Sequence, residues 1–155
     1  KSSIAKKIKS SIEKNYGPTI LLHGDDLRKI FNLKGYTKND RKIIAYKYSK
    51  LCKKITDNKI NVILATVSLF TQVRNWNRKN IKNYLEIYIK SNFKKILKRK
   101  QKIFYKKKSD NVVGIKIKPE LPKSPDIIIT NNFEKQLNIL SKKLLIKISK
   151  KCKKP

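Results

Sequence analysis

Short apolar runs alternate along the chain with longer segments in which apolar residues recur every three or four positions. The run 19–22, Thr-Ile-Leu-Leu, lies between a Gly-Pro pair and Gly24, and this pattern predicts a strand buried on both faces. Ile4, Ile8 and Ile12 lie one helical turn apart and predict an amphipathic helix. Together the patterns predict helices over about 1–15, 25–33, 37–57, 71–79, 92–98 and 133–150, and strands over about 19–22, 61–66, 84–89 and 126–129.

The alternation of strands and helices predicts a single α/β domain over 1–155, with a parallel sheet and right-handed crossovers. Thr37 is the predicted N-cap of the long third helix, and Asp40 at its third position favours the helix dipole. Glu86 is an unusual polar residue within a predicted strand. The segment 99–110 is almost entirely Lys and Arg around Phe-Tyr, a composition that suits a mobile cationic lid better than a packed element.

The net charge of +31 favours a polyanionic partner, either nucleic acid or a phosphorylated small molecule. The lysines, however, are spread over almost every segment, and the chain is also heavy in Asn and Ile, residues with A/T-rich codons. Compositional drift is therefore the favoured explanation, and we expect no specific nucleic-acid partner.

Targeting and redox features point to the cytoplasm. No apolar run approaches the length of a membrane span and no signal peptide is present, so no membrane partner is expected. Cys52 and Cys152 lie too far apart for a metal-binding spacing or a disulfide framework, which fits a reducing, intracellular location. The chain starts with Lys and contains no Met, which predicts a fragment.

Candidate chemistry lies where the first predicted strand ends. Gly24 turns the chain and is followed by Asp25, Asp26 and Arg28. Ligands of open α/β sheets bind at the carboxyl ends of the strands, so these residues predict a site for a metal-bound, phosphate-bearing ligand. Asp26 as a simple helix N-cap is the alternative, and spacing alone leaves both interpretations open.

The order of several short motifs resembles the adenylylsulfate kinase family, P-loop kinases that phosphorylate the ribose 3′-hydroxyl of adenylyl sulfate. The motifs are individually weak, but they follow one another in the family's order over nearly the whole chain. Residues 1–3 resemble the end of its GSGKS loop, 23–28 its DGDNxR motif, 35–41 its GFS..DR, 68–74 its SPF…R, 99–107 its RDxKGLYKK, 111–115 its FTGI and 122–126 its P.NPD.

The resemblance implies a three-layer P-loop NTPase fold with a mainly parallel sheet of about five strands in the intact domain. The first strand and the Gly-rich loop would be missing from this sequence, and 99–110 would be the lid. It further implies ATP and Mg²⁺ as cofactors and a small-molecule nucleotide as substrate. It also implies a homodimer, although no feature of the sequence itself predicts this assembly.

The resemblance also implies roles for individual residues. Lys1 would contact the β- and γ-phosphates of ATP, and Ser2 would bind Mg²⁺. Asp25, the second catalytic residue with Lys1, would hold the waters of the metal or orient the acceptor hydroxyl. Ser3, Arg99 and Lys102 would complete the ATP site; the acceptor would be bound by Arg28, Tyr36, Arg41, Phe70, Lys106, Lys107, Val112 and Ile115. For each basic residue the alternative is a solvated surface charge.

Three departures from the family pattern affect these expectations. His23 replaces the first Asp of DGD, and a lone His at a strand end is usually a hydrogen-bonded structural residue. Val112 stands where an aromatic residue usually clamps the acceptor adenine, and Ile44 replaces a usual Asn. The last two predict an altered acceptor pocket.

The residues and the resemblance are compatible with four functions. Adenylyl sulfate is the first-placed acceptor, which would put the protein in sulfate assimilation. The Asn-Val-Val-Gly form of 111–114 and the segment 73–80 resemble a branch that acts on cytidine diphosphoramidate in bacterial capsule phosphoramidate synthesis. A catalytically impaired nucleotide-binding module and a nucleic-acid-binding protein are the remaining alternatives.

Overall fold

A computed structural model describes residues 1–98, 113 and 117–152. The predicted lid therefore lies outside the described residues. The elements are α1 (Ser2–Tyr16), β1 (Thr19–His23), α2 (Gly24–Ile30), α3 (Lys38–Asp57), β2 (Asn61–Ala65), α4 (Thr71–Asn80), β3 (Ile87–Lys90), α5 (Phe93–Lys98), β4 (Ile127–Thr130) and α6 (Leu137–Lys151). The predicted order of helices and strands is confirmed.

The strands form two parallel pairs that share one helical layer. β1 pairs with β2, with His23 opposite Ala65, and β3 pairs with β4. α1 and α6 pack on each other, and the apolar faces of both contribute to one core cluster. Ile63 of β2 and Ile87 of β3 pack against that same cluster, so the two strand pairs lie under a common layer.

The expected helical spacing of α1 is confirmed, since Ile4, Ile8 and Ile12 are all buried. The opposite layer consists of α2 and α3, whose Leu27 and Ile44 form a second cluster with Leu22 and Leu64 of the strands. Helices on both sides of parallel strands give the predicted three-layer α/β arrangement.

The first strand was expected to be buried on both faces, but only Thr19 is fully buried, and Leu21 and Leu22 are half-buried. Ile20 is 38% exposed, although Thr19 beside it is buried. Side chains alternate along a strand, so Ile20 shares the face of Leu22. The cluster on that face forms around Leu22 and Leu64, toward the carboxyl ends of the strands, and does not include Ile20.

Some predicted bounds shift for identifiable reasons. α2 ends at Ile30 and not near 33, because Asn32 adopts a φ of +46°. α6 begins at Leu137 and not at 133, because Phe133 has a φ of +67°. A left-handed residue ends a right-handed helix. β3 begins at Ile87 and not near 84.

The described part of the chain contains neither a membrane-spanning helix nor a disulfide. No helix there is long and apolar enough to cross a membrane. Both cysteines are free, as the sequence predicted, and Cys52 is buried.

Candidate active site

The candidate site lies at the edge where β1 and β2 end. A connection of only Gly17 and Pro18 joins α1 to β1, so the chain reverses and the helix runs antiparallel to the strand against which it packs. The start of α1, with Lys1 and Ser2, therefore lies toward the same edge as the end of β1. Topology thus brings the two predicted phosphate-handling segments to one side of the sheet.

Gly24 makes the turn from β1 into α2, and its backbone lies close to Thr66. A Cβ atom at this position would lie 2.7 Å from Thr66 Oγ1, so only glycine lets the helix start pack against the exit of β2. The Tyr48 hydroxyl on α3 donates a hydrogen bond to the Gly24 carbonyl oxygen at 2.9 Å. Three elements therefore fix the position of this turn.

Asp25 and Asp26 are exposed and occupy the first turn of α2. Carboxylates at this position interact favourably with the helix dipole. The N-cap residue is His23, so the alternative interpretation of Asp26 as an N-cap is wrong. Both carboxylates face solvent at the sheet edge, where a ligand is accessible to them.

Two guanidinium groups approach the ring of Tyr36. The Arg28 guanidinium carbon is 4.5 Å from the centre of the Tyr36 ring, and that of Arg41 is 5.4 Å from it. Arg28 donates hydrogen bonds to the carbonyl oxygens of Leu33 and Gly35, at 3.0 and 2.9 Å. Arg41 donates through Nε to the Tyr36 carbonyl oxygen at 2.9 Å.

This arrangement concentrates positive charge beside an aromatic ring. Burial and the neighbouring Arg28 charge lower the pKa of Arg41, a sign that the two cations repel. Among the described residues, no carboxylate forms an ion pair with Arg28. Two adjacent cations of this kind attract an anion, and the fork geometry of guanidinium matches phosphate oxygens.

The loop before α3 holds Tyr36 in place. Thr37 caps the helix in a capping box: its hydroxyl accepts from the Asp40 N–H, and the Asp40 carboxylate accepts from the Thr37 N–H. The predicted N-cap is therefore confirmed. Gly35 has a φ of +92°, and a Cβ there would lie 2.7 Å from the Asp40 carboxyl group.

His23 differs from the sequence-based expectation of a hydrogen-bonded residue. Both ring nitrogens are buried, and neither has a hydrogen-bond partner within the described part of the chain. Strand alternation places the side chain on the same face as Leu21 and its partner Ile63, the face covered by α1. The end of β1, two residues before Asp25, thus carries an imidazole whose nitrogens have no partner among the described residues.

The remaining predicted site residues divide into two groups. Phe70 is only 5% exposed and packs with Leu69, Val73 and Ile117, with Val113 against them. Six residues lie outside the described part of the chain: Arg99, Lys102, Lys106, Lys107, Val112 and Ile115.

Tyr48 was missed as a site residue, although its spacing from Arg41 and Ile44 on one helix face was a usable signal.

The described residues contain no group of three or more His, Cys, Asp or Glu side chains arranged to hold a metal ion. An enclosed protein-only metal centre is therefore not present among them. A single carboxylate together with a hydroxyl is, however, the donor set typical of Mg²⁺ bound partly by substrate phosphates.

The family model of adenylylsulphate kinase matches residues 1–130 of the chain. This match includes α1, the turn at Gly24 and both arginines beside Tyr36. The chain belongs to the adenylylsulphate kinase family. The resemblance found in the short motifs is confirmed, and with it the class of enzyme, a phosphotransferase of a kinase family.

Individual relatives fall into two groups. The cytidine diphosphoramidate kinase of Campylobacter jejuni is 34% identical over 154 residues, which covers 94% of this chain and 90% of the relative. The adenylyl-sulfate kinase of Clostridium kluyveri is 29% identical over 140 residues, covering 86% of this chain and 70% of the relative.

A solved structure confirms the fold. The Mycobacterium tuberculosis APS kinase CysC in complex with AMPPNP and APS superposes with a TM-score of 0.81 at 21% identity, covering 96% of this chain and 90% of that one. The predicted α/β fold of the P-loop kinases is therefore confirmed.

Proposed function

We propose that this protein is an ATP-dependent kinase that transfers the γ-phosphate to the ribose 3′-hydroxyl of a cytidine diphosphoramidate acceptor. The observation that carries the proposal is the pair of guanidinium groups, Arg28 and Arg41, on the ring of Tyr36 at the carboxyl edge of β1. A nucleotide acceptor offers what this arrangement recognises, a doubly anionic phosphate chain next to an aromatic base.

The chemistry required of the protein is mainly positioning and charge neutralisation. Arg28 is held by two backbone carbonyl groups, so its orientation is set before a ligand arrives. Arg41 is tied to the Tyr36 carbonyl in the same way. Preorganised cations of this kind bind the acceptor anion with little loss of side-chain entropy. Tyr36 is 53% exposed, so its side chain is accessible for stacking on the base.

Asp25 and Ser2 fit the donor set expected for Mg²⁺. Both supply hard oxygen atoms, both lie toward the same sheet edge, and neither is buried. When bound, the ion would neutralise charge on the phosphates of ATP. Asp25 would orient the acceptor hydroxyl or the waters of the metal, while Lys1 and Ser3 at the start of α1 would contact the phosphates.

Cytidine diphosphoramidate now takes precedence over adenylyl sulfate as the proposed acceptor. The relative named for the cytidine compound is both more identical and more completely covered than the adenylyl-sulfate kinase of C. kluyveri. Val112 in place of an aromatic clamp supports the same choice, because a smaller pyrimidine needs less stacking surface. Adenylyl sulfate remains the second candidate, on the breadth of the family model.

We also propose that the intact domain contains one more strand between β2 and β3. The two strand pairs pack under one helical layer, yet in the described residues neither β2 nor β3 has a neighbour on its other edge. A strand followed by a Gly-rich loop leading into α1 would join the pairs into one sheet and complete the phosphate-binding site. Residues 1–155 would then all belong to a single kinase domain with its lid over 99–110, in which Arg99 and Lys102 contact ATP. Phe70, Lys106, Lys107, Val112 and Ile115 would complete the acceptor site.

The decisive experiment uses the protein in a form that contains the proposed strand and Gly-rich loop, supplied with ATP, Mg²⁺ and each acceptor separately. We expect product formation with cytidine diphosphoramidate at a kcat/KM at least tenfold above that for adenylyl sulfate. The reverse preference would return the protein to the adenylyl-sulfate branch. Turnover of neither acceptor would contradict the kinase proposal and favour the impaired nucleotide-binding module.

A homodimer is the proposed assembly, and the cytoplasm is the proposed location. Light scattering after size exclusion tests the assembly directly. A dimer of a chain with a net charge of +31 must overcome self-repulsion, so its fraction should rise with NaCl concentration.

A further inference from the structure

Four charged side chains form an ionic network away from the Arg28–Tyr36–Arg41 cluster. Arg74 and Arg78 of α4 meet Glu86, just before β3, and Asp126, just before β4. Arg74 Nε lies 3.0 Å from Glu86 Oε1, and Arg78 Nη2 lies 3.2 Å from Glu86 Oε2 and 3.0 Å from Asp126 Oδ2. The Glu86 N–H donates to Asp126 Oδ2 at 2.8 Å, which explains why β3 begins only at Ile87.

Arg74 is the buried member of this network, with only 4% of its surface exposed. Its Nη1 donates to the Ser68 carbonyl oxygen at 3.1 Å, and its Nη2 donates to Thr71 Oγ1 at 2.9 Å. The approach of Nε to Glu86 is an ion pair without the alignment of a hydrogen bond. We refer to residues 68–71, which end with the first residue of α4, as the loop 68–71. One guanidinium therefore connects the loop 68–71 to Glu86, the residue before β3.

The loop 68–71 is held from a second side by Glu120. Its carboxylate accepts from the Thr71 N–H at 2.7 Å, and its own N–H donates to the Leu69 carbonyl oxygen at 3.0 Å. Between these two attachments lies Phe70, buried at 5% exposure against Val73. The position of the Phe70 ring is thus set by polar contacts of its neighbours as well as by apolar packing.

We propose that Arg74 is a positioning residue of the acceptor site, acting through the loop 68–71 and Phe70, with Glu86 as its counter-ion. The inference rests on the proposed kinase function, in which Phe70 belongs to the acceptor pocket. A buried ion pair contributes little net stability, and apolar residues of similar size often replace one without loss. A fork-shaped cation that grips two loop atoms at once supplies geometry that an apolar pair lacks.

The test variant replaces both partners together, as Arg74→Met with Glu86→Leu. Removing both charges leaves neither buried alone, so the protein should fold with a Tm close to that of the wild type. We expect the acceptor KM and Kd to rise at least tenfold, while the KM for ATP changes less than twofold. The matched control is Lys53→Gln with Asp57→Asn, which removes an exposed ion pair of α3 and should change neither constant.

Three results would overturn the inference. One is an unchanged acceptor affinity in the double variant. A second is an equal loss of affinity for both substrates, which would indicate general damage. The third is amide hydrogen exchange at 68–71 that stays as slow as in the wild type. If the double variant does not fold, Arg74→Lys is measured in the same way, because it keeps the charge but lacks the fork that reaches Ser68 and Thr71 together.

The exchange measurement also separates this inference from the proposed function. If the wild type phosphorylates neither acceptor, the kinase proposal fails on that result alone. Faster exchange confined to 68–71 in the double variant would then still support Arg74 as the residue that holds the loop, and unchanged exchange would overturn it.

Discussion

Tyr36 is the residue on which two cations converge, and more than half of its surface is exposed despite them. Each guanidinium is fixed by backbone carbonyl groups, so the ring is not needed to hold the arginines in position. Its contribution to the site is therefore an aromatic surface next to concentrated positive charge. This separation of roles makes the ring testable apart from the charges.

We expect Tyr36→Leu to raise the acceptor KM about tenfold, since a stacked base and cation–π contacts are each worth roughly 1 kcal/mol or more. Tyr36→Phe keeps the ring and should stay within twofold of the wild type. Steady-state kinetics with the acceptor varied at saturating ATP measures both. A similar loss in the Phe variant would mean that the hydroxyl, and not the ring, makes the contact.

His23 presents the opposite case, a polar residue whose nitrogens have no partner among the described residues. A buried unsatisfied polar group costs about 1–3 kcal/mol, so His23→Leu should raise the free energy of unfolding by about 1 kcal/mol. Urea denaturation followed by circular dichroism measures the change. A loss of stability in the Leu variant would show that the imidazole is satisfied in solution. Leu21→Ile on the same face of β1 controls for the effect of a new apolar shape.

At the scale of elements, the loop between α2 and α3 determines where Tyr36 stands. The capping box of Thr37 and Asp40 fixes the start of α3, and Gly35 supplies the left-handed turn that the preceding chain requires. From α3, Arg41 donates to the Tyr36 carbonyl oxygen and Tyr48 donates to the Gly24 carbonyl oxygen. The helix cap at Thr37 therefore helps to set the position of Tyr36 in the candidate site.

Thr37→Ala should lower the free energy of unfolding by about 1 kcal/mol, because the Asp40 N–H loses its acceptor at the helix start. The acceptor KM should rise as well, since Tyr36 precedes the lost cap. Thr37→Ser keeps the hydroxyl and should restore both values. Thermal unfolding and kinetics on the same preparations test this, and a stable variant with weakened acceptor binding would show that the cap serves the site alone.

The network before β3 and β4 predicts a defined pH dependence. Burial by itself raises the pKa of Asp126, but the hydrogen bonds from Arg78 and the Glu86 N–H outweigh it and hold the pKa below its ordinary value. An unfolded aspartate titrates near pH ~3.9. The stabilisation is therefore complete above that pH and is lost as the pH falls through the lower pKa of the folded state.

Wild type should accordingly be more stable than Asp126→Asn near pH 7, and the difference should close as the pH falls below about 4. Denaturant titrations at several pH values measure it. The exposed pair of Lys53 and Asp57 offers the comparison, and Asp57→Asn should change stability less at every pH. A difference between wild type and Asp126→Asn that does not depend on pH would rule out the ionised carboxyl group as its source.

The whole molecule carries a net charge of +31 on 155 residues. Ion pairing leaves this net charge unchanged, and most ion pairs of the described residues lie at the surface. Self-repulsion on this scale opposes the compact state, and salt screens it within a Debye length of about 10 Å at 0.1 M. For a kinase with lysines scattered over its surface, we expect only weak, nonspecific binding to nucleic acid; a high affinity that falls steeply with salt would instead favour the nucleic-acid-binding alternative.

Raising NaCl from about 0.02 to 0.5 M should therefore raise the Tm, by roughly 2–4 °C for each kcal/mol of repulsion removed. KCl at the same ionic strength should act equally, because screening does not depend on the cation. Differential scanning calorimetry without nucleotide measures the effect. A Tm that falls or stays constant would mean that repulsion is not a significant term in the stability of this chain.

Local signals in the sequence predicted most of the elements and the sheet edge at which the candidate site lies. The spacing of apolar residues identified α1 and the strands, and Thr37 followed by Asp40 identified the helix cap. Gly24 followed by Asp25 indicated the sheet edge at which the candidate site lies. These features depend on residues close in sequence, so a linear chain displays them. The family followed from the order of such motifs and is confirmed.

Contacts between distant residues were not predictable in this way. Glu86 was only an odd polar residue until folding brought it to Arg74 and, across the sheet, to Asp126. His23 was expected to be hydrogen-bonded, because a sequence does not show whether a polar partner arrives from another element. The exposure of Ile20 likewise depended on how far the covering cluster extends along the strand.

The sequence by itself therefore determined the α/β order, the helix cap, the turn at Gly24 and the family, because each is encoded in spacing along the backbone. Only the tertiary structure decided that Arg28 and Arg41 share the Tyr36 ring, that the His23 nitrogens have no partner among the described residues, and that Arg74 ties the loop 68–71 to Glu86. Those outcomes depend on burial and on which distant groups meet, since the energy of a charge or a polar atom is set by its surroundings in space.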